Sequence, residues 1–437
     1  MIPSVGRHAR WAALAVTALT LVAACGGSST SNNGGTVTFK GTKNVGISTA
    51  LSGQSALYGH AIQQSLKLAE DEINKAGGVN GYKINVEVQD DTTAVDPAVN
   101  NTKQMILQDN VVAMIGPVTS AQCAATSPIS KANKVLFIAA TCNSYQLTTQ
   151  PSQINPYYIS VVPNTYMEGC AAGTDTGKKG TTNIFIVSPD YLFGRSETNA
   201  FVSCLKKTNP SVKIANDPST WFVKYPHTDW SPEVAQIQAA KPTLVYSNIF
   251  AADQISFINK ATQTDPQWFT KYPLVTLASV DELQTLKDKY PIGMRLYMRA
   301  PFFQLSNPKL DAFVSSYKAR YNGEFPSDWA VMDYDAIKMW ATAANAAKSF
   351  DSDTVKKQIV GKSFDSLRGY KFTIRADDQQ ANVGETIGTT ADSGGKYPFP
   401  ILKDATNLSG NDLIMPLDLV NKLKGGQCKN DDFANCP

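Results

Sequence analysis

The sequence predicts an α/β protein built of two doubly wound, Rossmann-like lobes. Three observations carry this expectation. From residue 44 onward, strand-like and helix-like segments alternate. The strand-like segments are rich in Val, Ile and Leu without strict polar alternation, as in parallel sheets covered by helices on both faces. The alternation also runs twice in series over about 400 residues, more than one hydrophobic core serves.

The first segment is of another kind. Arg7 and Arg10 precede an apolar stretch from Trp11 to Ala24, broken only by Thr17 and Thr20. Basic residues, a short apolar core and small residues at its end make a secretory signal, assigned here to residues 1–24. The core has about 14 residues, short of the roughly 18 to 20 that span a bilayer. Val22-Ala23-Ala24-Cys25 resembles a bacterial lipobox, which implies cleavage before Cys25 and its diacylation. Ordinary secretion with cleavage at a nearby Ala-Ala is the alternative. The Gly-, Ser- and Asn-rich run that follows stays solvated and reads as a flexible tether, residues 25–42. No later segment is long and apolar enough to cross a membrane.

Forty Lys and Arg face 37 Asp and Glu, a formal charge of +3. Removing residues 1–24 takes away two arginines and leaves about +1. A near-neutral body argues against nucleic acid as a partner, because phosphate neutralisation needs a basic face. Apart from Cys25, the cysteines are Cys123, Cys142, Cys170, Cys204, Cys428 and Cys436. An even number in an exported chain reads as disulfides. Proximity along the chain and the element order favour 123 with 142, 170 with 204, and 428 with 436. Metal binding is the weaker reading, since there is no CxxC and only His60 and His227 follow the signal. No metal or cofactor is expected, and a monomer is.

In order, "NVGISTA" reads as a strand and "YGHAIQQSLKLAEDEINKAGG" as a helix. Ile62, Leu66, Ala69 and Ile73 form its apolar face, and Gly77 and Gly78 stop it. "YKINVEV" is a strand, and "DPAVNNTKQMILQD" a helix opened by Asp96 with Pro97 in its first turn. "VVAMIGP", "AQCAATSPISKAN" and "KVLFIAA" continue as strand, helix, strand. Beyond "YYISVVP", strands "NIFIVSP", "TLVYSNIF", "PLVTLAS" and "MRLYMRAP" alternate with helices around 195–207, 231–240, 252–263 and 281–288. With no linker inside the body, the lobes should be joined by crossing strands. Ligands of such sheets sit beyond the carboxyl ends of the strands. The loops there are rich in Ser, Thr, Gly, Ala, Asn and aromatics and poor in His, Lys and Arg. That chemistry suits hydrogen bonding to a small polar ligand with an apolar part, and it does not suit bond breaking.

The run "LSGQSALYGHAIQQSLKLAEDEINKAGGVNGYKINVEVQDDTTAVDPAVNNTKQMILQDNVVAMIGPVTSA" resembles the branched-chain amino-acid-binding class of ABC-transporter substrate-binding proteins. "SPDYLFG", "HTDWSPEVAQIQAAKPTLVYSN" and "DYDAIKMWATAANAAK" extend the likeness, which spans about residues 43 to 375. It implies a type I periplasmic-binding fold with three crossover strands and hinge closure on a ligand. The crossings are expected near 157–163, 296–302 and 369–375. One lobe would then comprise 43–160 plus 301–368, and the other 161–300 plus 369–437. The implied function is delivery of a small molecule to an ABC permease by a body tethered to the outer face of the membrane. A sensor that hands its ligand signal to a receptor would share the fold. A neighbouring permease gene favours transport, and a neighbouring sensor kinase favours signalling.

By position, the resemblance places Tyr58 beside the ligand and Ser120 on its carboxylate. A hydroxyl and free N–H groups at a helix start form an anion site in any case. Thr141 and Asn143 would complete the polar clamp, and Phe193 and Phe250 would line the far lobe. The family commonly offers an acid to the ligand ammonium in the loop corresponding to "TLASVDEL", where Ala278 or Ser279 aligns instead. Asp190, Asp253 and Asp281 are the possible substitutes. An unpaired amine in a desolvated cleft would cost several kcal/mol, so an apolar carboxylate or amide stays open beside an amino acid. Among enzyme motifs, GxSxG, the P-loop, HExxH and GxGxxG are all absent from the sequence.

Overall fold

The computed structural model describes residues 38–428 and 436. The signal, Cys25 and the tether as far as residue 37 lie outside the described residues. The body takes hold slightly before the expected end of the tether: the Lys40 N–H reaches the Gly81 carbonyl at 2.8 Å, and the first strand opens at Thr42.

Five parallel strands make the first sheet: β1 (Thr42–Thr49), β2 (Lys83–Asp90), β3 (Ala113–Ile115), β4 (Phe137–Ala139) and β5 (Tyr158–Ser160), in the order β2-β1-β3-β4-β5. The second sheet begins with β6 (Asn183–Pro189), β7 (Lys213–Ile214), β8 (Phe222–Val223), β9 (Leu244–Ser247), β10 (Leu274–Leu277) and β11 (Arg295–Met298). Its parallel part runs β7-β6-β9-β10-β11, the same winding repeated, with β8 pairing β6 off this path. After a hairpin of β12 (Ser363–Asp365) and β13 (Lys371–Thr373), β14 (Glu385–Ala391) and β15 (Ile401–Leu408) extend the second sheet antiparallel beside β11. The apolar runs behave as double-sided burial requires. Ala113–Ile115, Phe137–Ala139 and Leu274–Leu277 are buried throughout, because helices cover both sheet faces.

The chain passes between the sheets three times. After β5 it leaves the first sheet for the helix Thr165–Lys178, and after β11 it returns to the helices Pro308–Arg320 and Asp328–Ala347. The third passage lies later than the expected 369–375. Those residues instead hold β13 in its hairpin, because Phe364 and Phe372 pair beneath the helix Asp328–Ala347. The chain stays with the first sheet to Ala381, whose N–H reaches the Ser160 carbonyl at 2.8 Å, and enters the second at Glu385.

Helix Ala56–Lys75 packs on helix Asp328–Ala347, with Tyr334 bonded to Glu72. In the second lobe, helix Thr165–Lys178 lies hard against helix Leu192–Thr208. Small residues allow the approach: a Cβ on Gly169 would stand 2.4 Å from the Glu197 carbonyl, and one on Gly173 2.4 Å from that of Phe201. Cys170 is bonded to Cys204 across the same pair of helices. Cys123 is bonded to Cys142, and Cys428 to Cys436.

Candidate functional site

In each parallel sheet the strand order reverses direction beside the first strand, between β1 and β3 and between β6 and β9. Loops leaving the carboxyl ends there diverge and leave a crevice. The two crevices face each other across a small cavity. All six residues singled out as ligand contacts line it: Tyr58, Ser120, Thr141 and Asn143 from the first lobe, Phe193 and Phe250 from the second.

The first-lobe wall is polar and tightly tied. Thr119 caps helix Ser120–Asn133 in a reciprocal capping box with Gln122, which fixes Ser120 at the first turn. Ser120 Oγ accepts the N–H groups of Asn143 at 3.2 Å and Ser144 at 3.1 Å, so it organises the loop after β4. Thr141 Oγ1 donates to the Pro117 carbonyl at 2.8 Å. Asn143 Nδ2 donates to the Pro163 carbonyl at 2.8 Å and to Glu168 at 2.7 Å. The disulfide between Cys123 and Cys142 braces the same loop against the helix.

The second-lobe wall is aromatic. Phe193 and Phe250 meet edge to face with centroids 5.6 Å apart, and Tyr191 lies 5.9 Å from Phe193. Tyr58 is 4.6 Å from Trp329. The Tyr58 hydroxyl donates to Glu282 in the other lobe and accepts the Ala251 N–H at 3.1 Å. Burial first, then the Glu282 charge, raises the Tyr58 pKa well above its ordinary value, so the phenol keeps its proton. Around the cavity the lobes also touch through Gln54 with Asp253, Ser55 with Tyr225 at 3.3 Å, and Ser144 with Ser196 at 3.2 Å.

None of the three aspartates proposed for an ammonium lines the cavity. Asp190 is exposed and paired with Arg195 at 2.6 Å. Asp253 is buried but committed to Gln54 and to the His227 N–H, and burial raises its pKa to about 6. Asp281 accepts from Ser279 at 2.9 Å, and burial followed by the Glu282 charge pushes it well above the carboxylate range. It lines a separate groove with His60 and Gln64.

Arg299, Trp329 and Tyr191 line the cavity and were not singled out from the sequence. Arg299 follows β11 and is fully buried; its Nε donates to Glu168, and its guanidinium carbon lies 4.3 Å from the Trp329 ring. Burial alone would lower the Arg299 pKa, but the Glu168 charge outweighs it and holds the cation firmly. Beside this pair, burial and then the Glu168 charge push Glu197 and Glu385 well above the carboxylate range. Among the described residues, no group of three or more His, Cys, Asp or Glu is placed to hold a metal ion. None of their helices is long and apolar enough to cross a membrane.

Comparison with known proteins gives the same architecture. A family model described as "Periplasmic binding protein" matches residues 42–396. The Leu/Ile/Val-binding protein homolog 7 of Brucella abortus (strain 2308) is 23% identical over 353 residues, covering 76% of this chain and 85% of its own. Among solved structures, a leucine-binding protein of Thermotoga maritima MSB8 superposes with a TM-score of 0.71 at 18% identity, covering 85% of this chain and 99% of that one. An ABC-transporter solute-binding protein from Rhodopseudomonas palustris in complex with benzoate gives 0.72 at 20% identity, covering 84% and 97%. Another from Rhodopseudomonas palustris BisB5, in complex with 3,4-dihydroxybenzoic acid, gives 0.72 at 20%, covering 84% and 98%.

Proposed function

The chain belongs to the periplasmic binding protein family, type I in fold, and from that premise we propose that it is a lipid-anchored solute receptor for an ABC permease. Its ligand is a small carboxylate with an apolar, preferably aromatic, body. The observation that carries this reading is the cavity itself, polar on one wall, aromatic on the other, with Asp190, Asp253 and Asp281 all outside it. An α-ammonium would enter that cavity with no acid to meet it, whereas an apolar ring would replace water against Tyr58, Phe193 and Phe250. Ser120, Thr141 and Asn143 are assigned to the polar end. The solved solute-binding proteins in complex with benzoate and 3,4-dihydroxybenzoic acid show that this fold accommodates such ligands in other proteins.

Native mass spectrometry of the purified protein reads any retained molecule directly. A thermal-shift panel of benzoate, 4-hydroxybenzoate, leucine, isoleucine and valine then tests the class. A true ligand at 100 times its Kd adds about 2.7 kcal/mol to stability. Stabilisation by the three amino acids with none by the aromatic acids overturns the proposed class. For the anchor, labelled palmitate should enter the wild type and not Cys25→Ser, since two acyl chains make membrane binding stable. Equal labelling of both would remove Cys25 as the anchor.

A further inference from the structure

The polar wall has spent most of its donors before any ligand arrives. Ser120 Oγ already receives two backbone N–H groups, Thr141 gives its proton to Pro117, and Asn143 gives its amide to Pro163 and Glu168. Of the side-chain donors on that wall, the Ser120 hydroxyl proton remains for an anion, beside the first-turn N–H groups of helix Ser120–Asn133. These donors are neutral, and a carboxylate whose charge meets no countercharge in a dry cavity is strongly disfavoured.

Arg299 meets that need. Among the described residues lining the cavity, it is the one that carries a charge. Its Nε edge is held by Glu168, the same carboxylate that holds Asn143, so the guanidinium is tied to the polar wall through a shared partner. Its face lies against Trp329, and the next residue, Ala300, is fixed by its N–H to Asp328 at 2.6 Å. The Nη edge makes no hydrogen bond to another described residue. A second group points the same way: Trp329 keeps its indole N–H buried without a hydrogen-bond partner. Of the other acids around Arg299, burial followed by the Glu168 charge holds Glu197 and Glu385 well above the carboxylate range, and Asp328 is committed to the Val280 and Ala300 N–H groups.

We infer that Arg299 is the specificity-determining residue of the cleft, its Nη edge taking the ligand carboxylate with Ser120, and that Glu168 is a positioning residue that orients it. A planar guanidinium matches a carboxylate with two parallel bonds, which an amide cannot complete. The inference rests on the carboxylate reading of the cleft and adds the group that enforces it.

The test is calorimetry on the purified full chain with two matched pairs, benzoate with benzamide and 4-methylpentanoate with 4-methylpentanamide. A charged hydrogen-bond pair makes a difference of roughly 10- to 100-fold, so wild type should prefer one acid over its amide by that much. Arg299→Gln should bring the ratio to within about 3-fold while amide binding changes little, and Arg299→Lys should keep part of the preference. Because Arg299→Gln leaves Glu168 buried without its partner, the double variant Arg299→Gln/Glu168→Gln is measured beside it, with its thermal midpoint as the folding control. A wild-type ratio that persists in the double variant, including equal loss of acid and amide, overturns the inference and leaves the ligand class standing. Equal wild-type binding of acid and amide does the same. A wild type that binds neither member of either pair overturns both.

Discussion

Substituting Gly173 by Ala sets two effects of opposite sign against each other. Ala is better than Gly inside a helix by about 0.8–1 kcal/mol, so propensity alone predicts stabilisation. The packing predicts the reverse. The new Cβ would stand 2.4 Å from the Phe201 carbonyl oxygen and 3.0 Å from the Leu205 nitrogen, and both are backbone atoms that cannot swing aside. Real Cβ contacts keep at least 3.0 Å, so helices Thr165–Lys178 and Leu192–Thr208 must separate by at least 0.6 Å, the difference between 3.0 and 2.4 Å. The Cys170–Cys204 bond resists that separation. Overpacking costs typically about 1–3 kcal/mol, and a rigid, stapled contact belongs at the upper end. Net destabilisation of about 2 kcal/mol is expected, read as a lower urea midpoint by circular dichroism. The same helices carry Glu168 and Glu197, so the opening should also weaken ligand binding by calorimetry. A variant as stable as wild type, or more so, refutes the packing argument.

Three further outcomes follow from the geometry. Ser120→Ala leaves the buried N–H groups of Asn143 and Ser144 without their acceptor and should cost about 2–6 kcal/mol in urea unfolding, at about 1–3 for each orphaned group. An unchanged midpoint would show that the loop after β4 does not depend on this hydroxyl. Replacing Cys123 and Cys142 by Ser opens a loop with a sequence separation of 19, worth about 3 kcal/mol in the chain-entropy model; peptide mapping without reduction should show the bond in wild type. Asp253 has its folded pKa raised from 3.8 to about 6, so the folded state binds the extra proton in that window. The Asp253 contribution to stability should therefore fall as pH rises from about 4 to about 6, so the stability of wild type relative to Asp253→Asn should decline across that window. Urea midpoints at pH 4, 5, 6 and 7 decide, and parallel curves for the two proteins would contradict the assignment.

Much of the fold was legible because burial on both faces writes itself into composition. "VVAMIGP" and "KVLFIAA" have no polar alternation, and both became central strands of the first sheet. Strand ends locate a crevice before any side chain is placed, and the residues that the family resemblance assigned by position, Tyr58, Ser120, Thr141, Asn143, Phe193 and Phe250, all line one cavity there. What escaped notice was long-range pairing. Arg299 sits in "LYMRAPF", where an apolar run disguises it as part of a crossing strand, yet an arginine inside such a run signals a buried partner. Its partner, Glu168, is 131 residues away, and no local pattern links the two. Trp329 enters from the start of a helix in the returning segment rather than from a strand end. Asp190 and Asp281 stay out of the cavity for the opposite reason, since their neighbours in sequence, Arg195 and Ser279, capture them locally, whereas Asp253 is held by the distant Gln54 and His227. The third crossing was placed too early because "GYKFTIR" has strand composition, and its pairing with β12 depends on a helix packed above it.

The threefold passage between sheets has a consequence for the order in which the chain can become a folded body. The first sheet is complete at Ser160, but one face of helix Ala56–Lys75 is covered by helix Asp328–Ala347, which begins about 270 residues later. At a synthesis rate of about 5–20 residues per second, those two helices emerge from the ribosome about 14 to 54 seconds apart. During that interval the first lobe lacks a wall of its core and the second lacks β14 and β15. A contiguous lobe would close early and become a rigid obstacle to a narrow export channel. Here neither lobe has all its parts until nearly the whole polypeptide has been made, so the interleaved path itself delays folding until export of the chain can be under way.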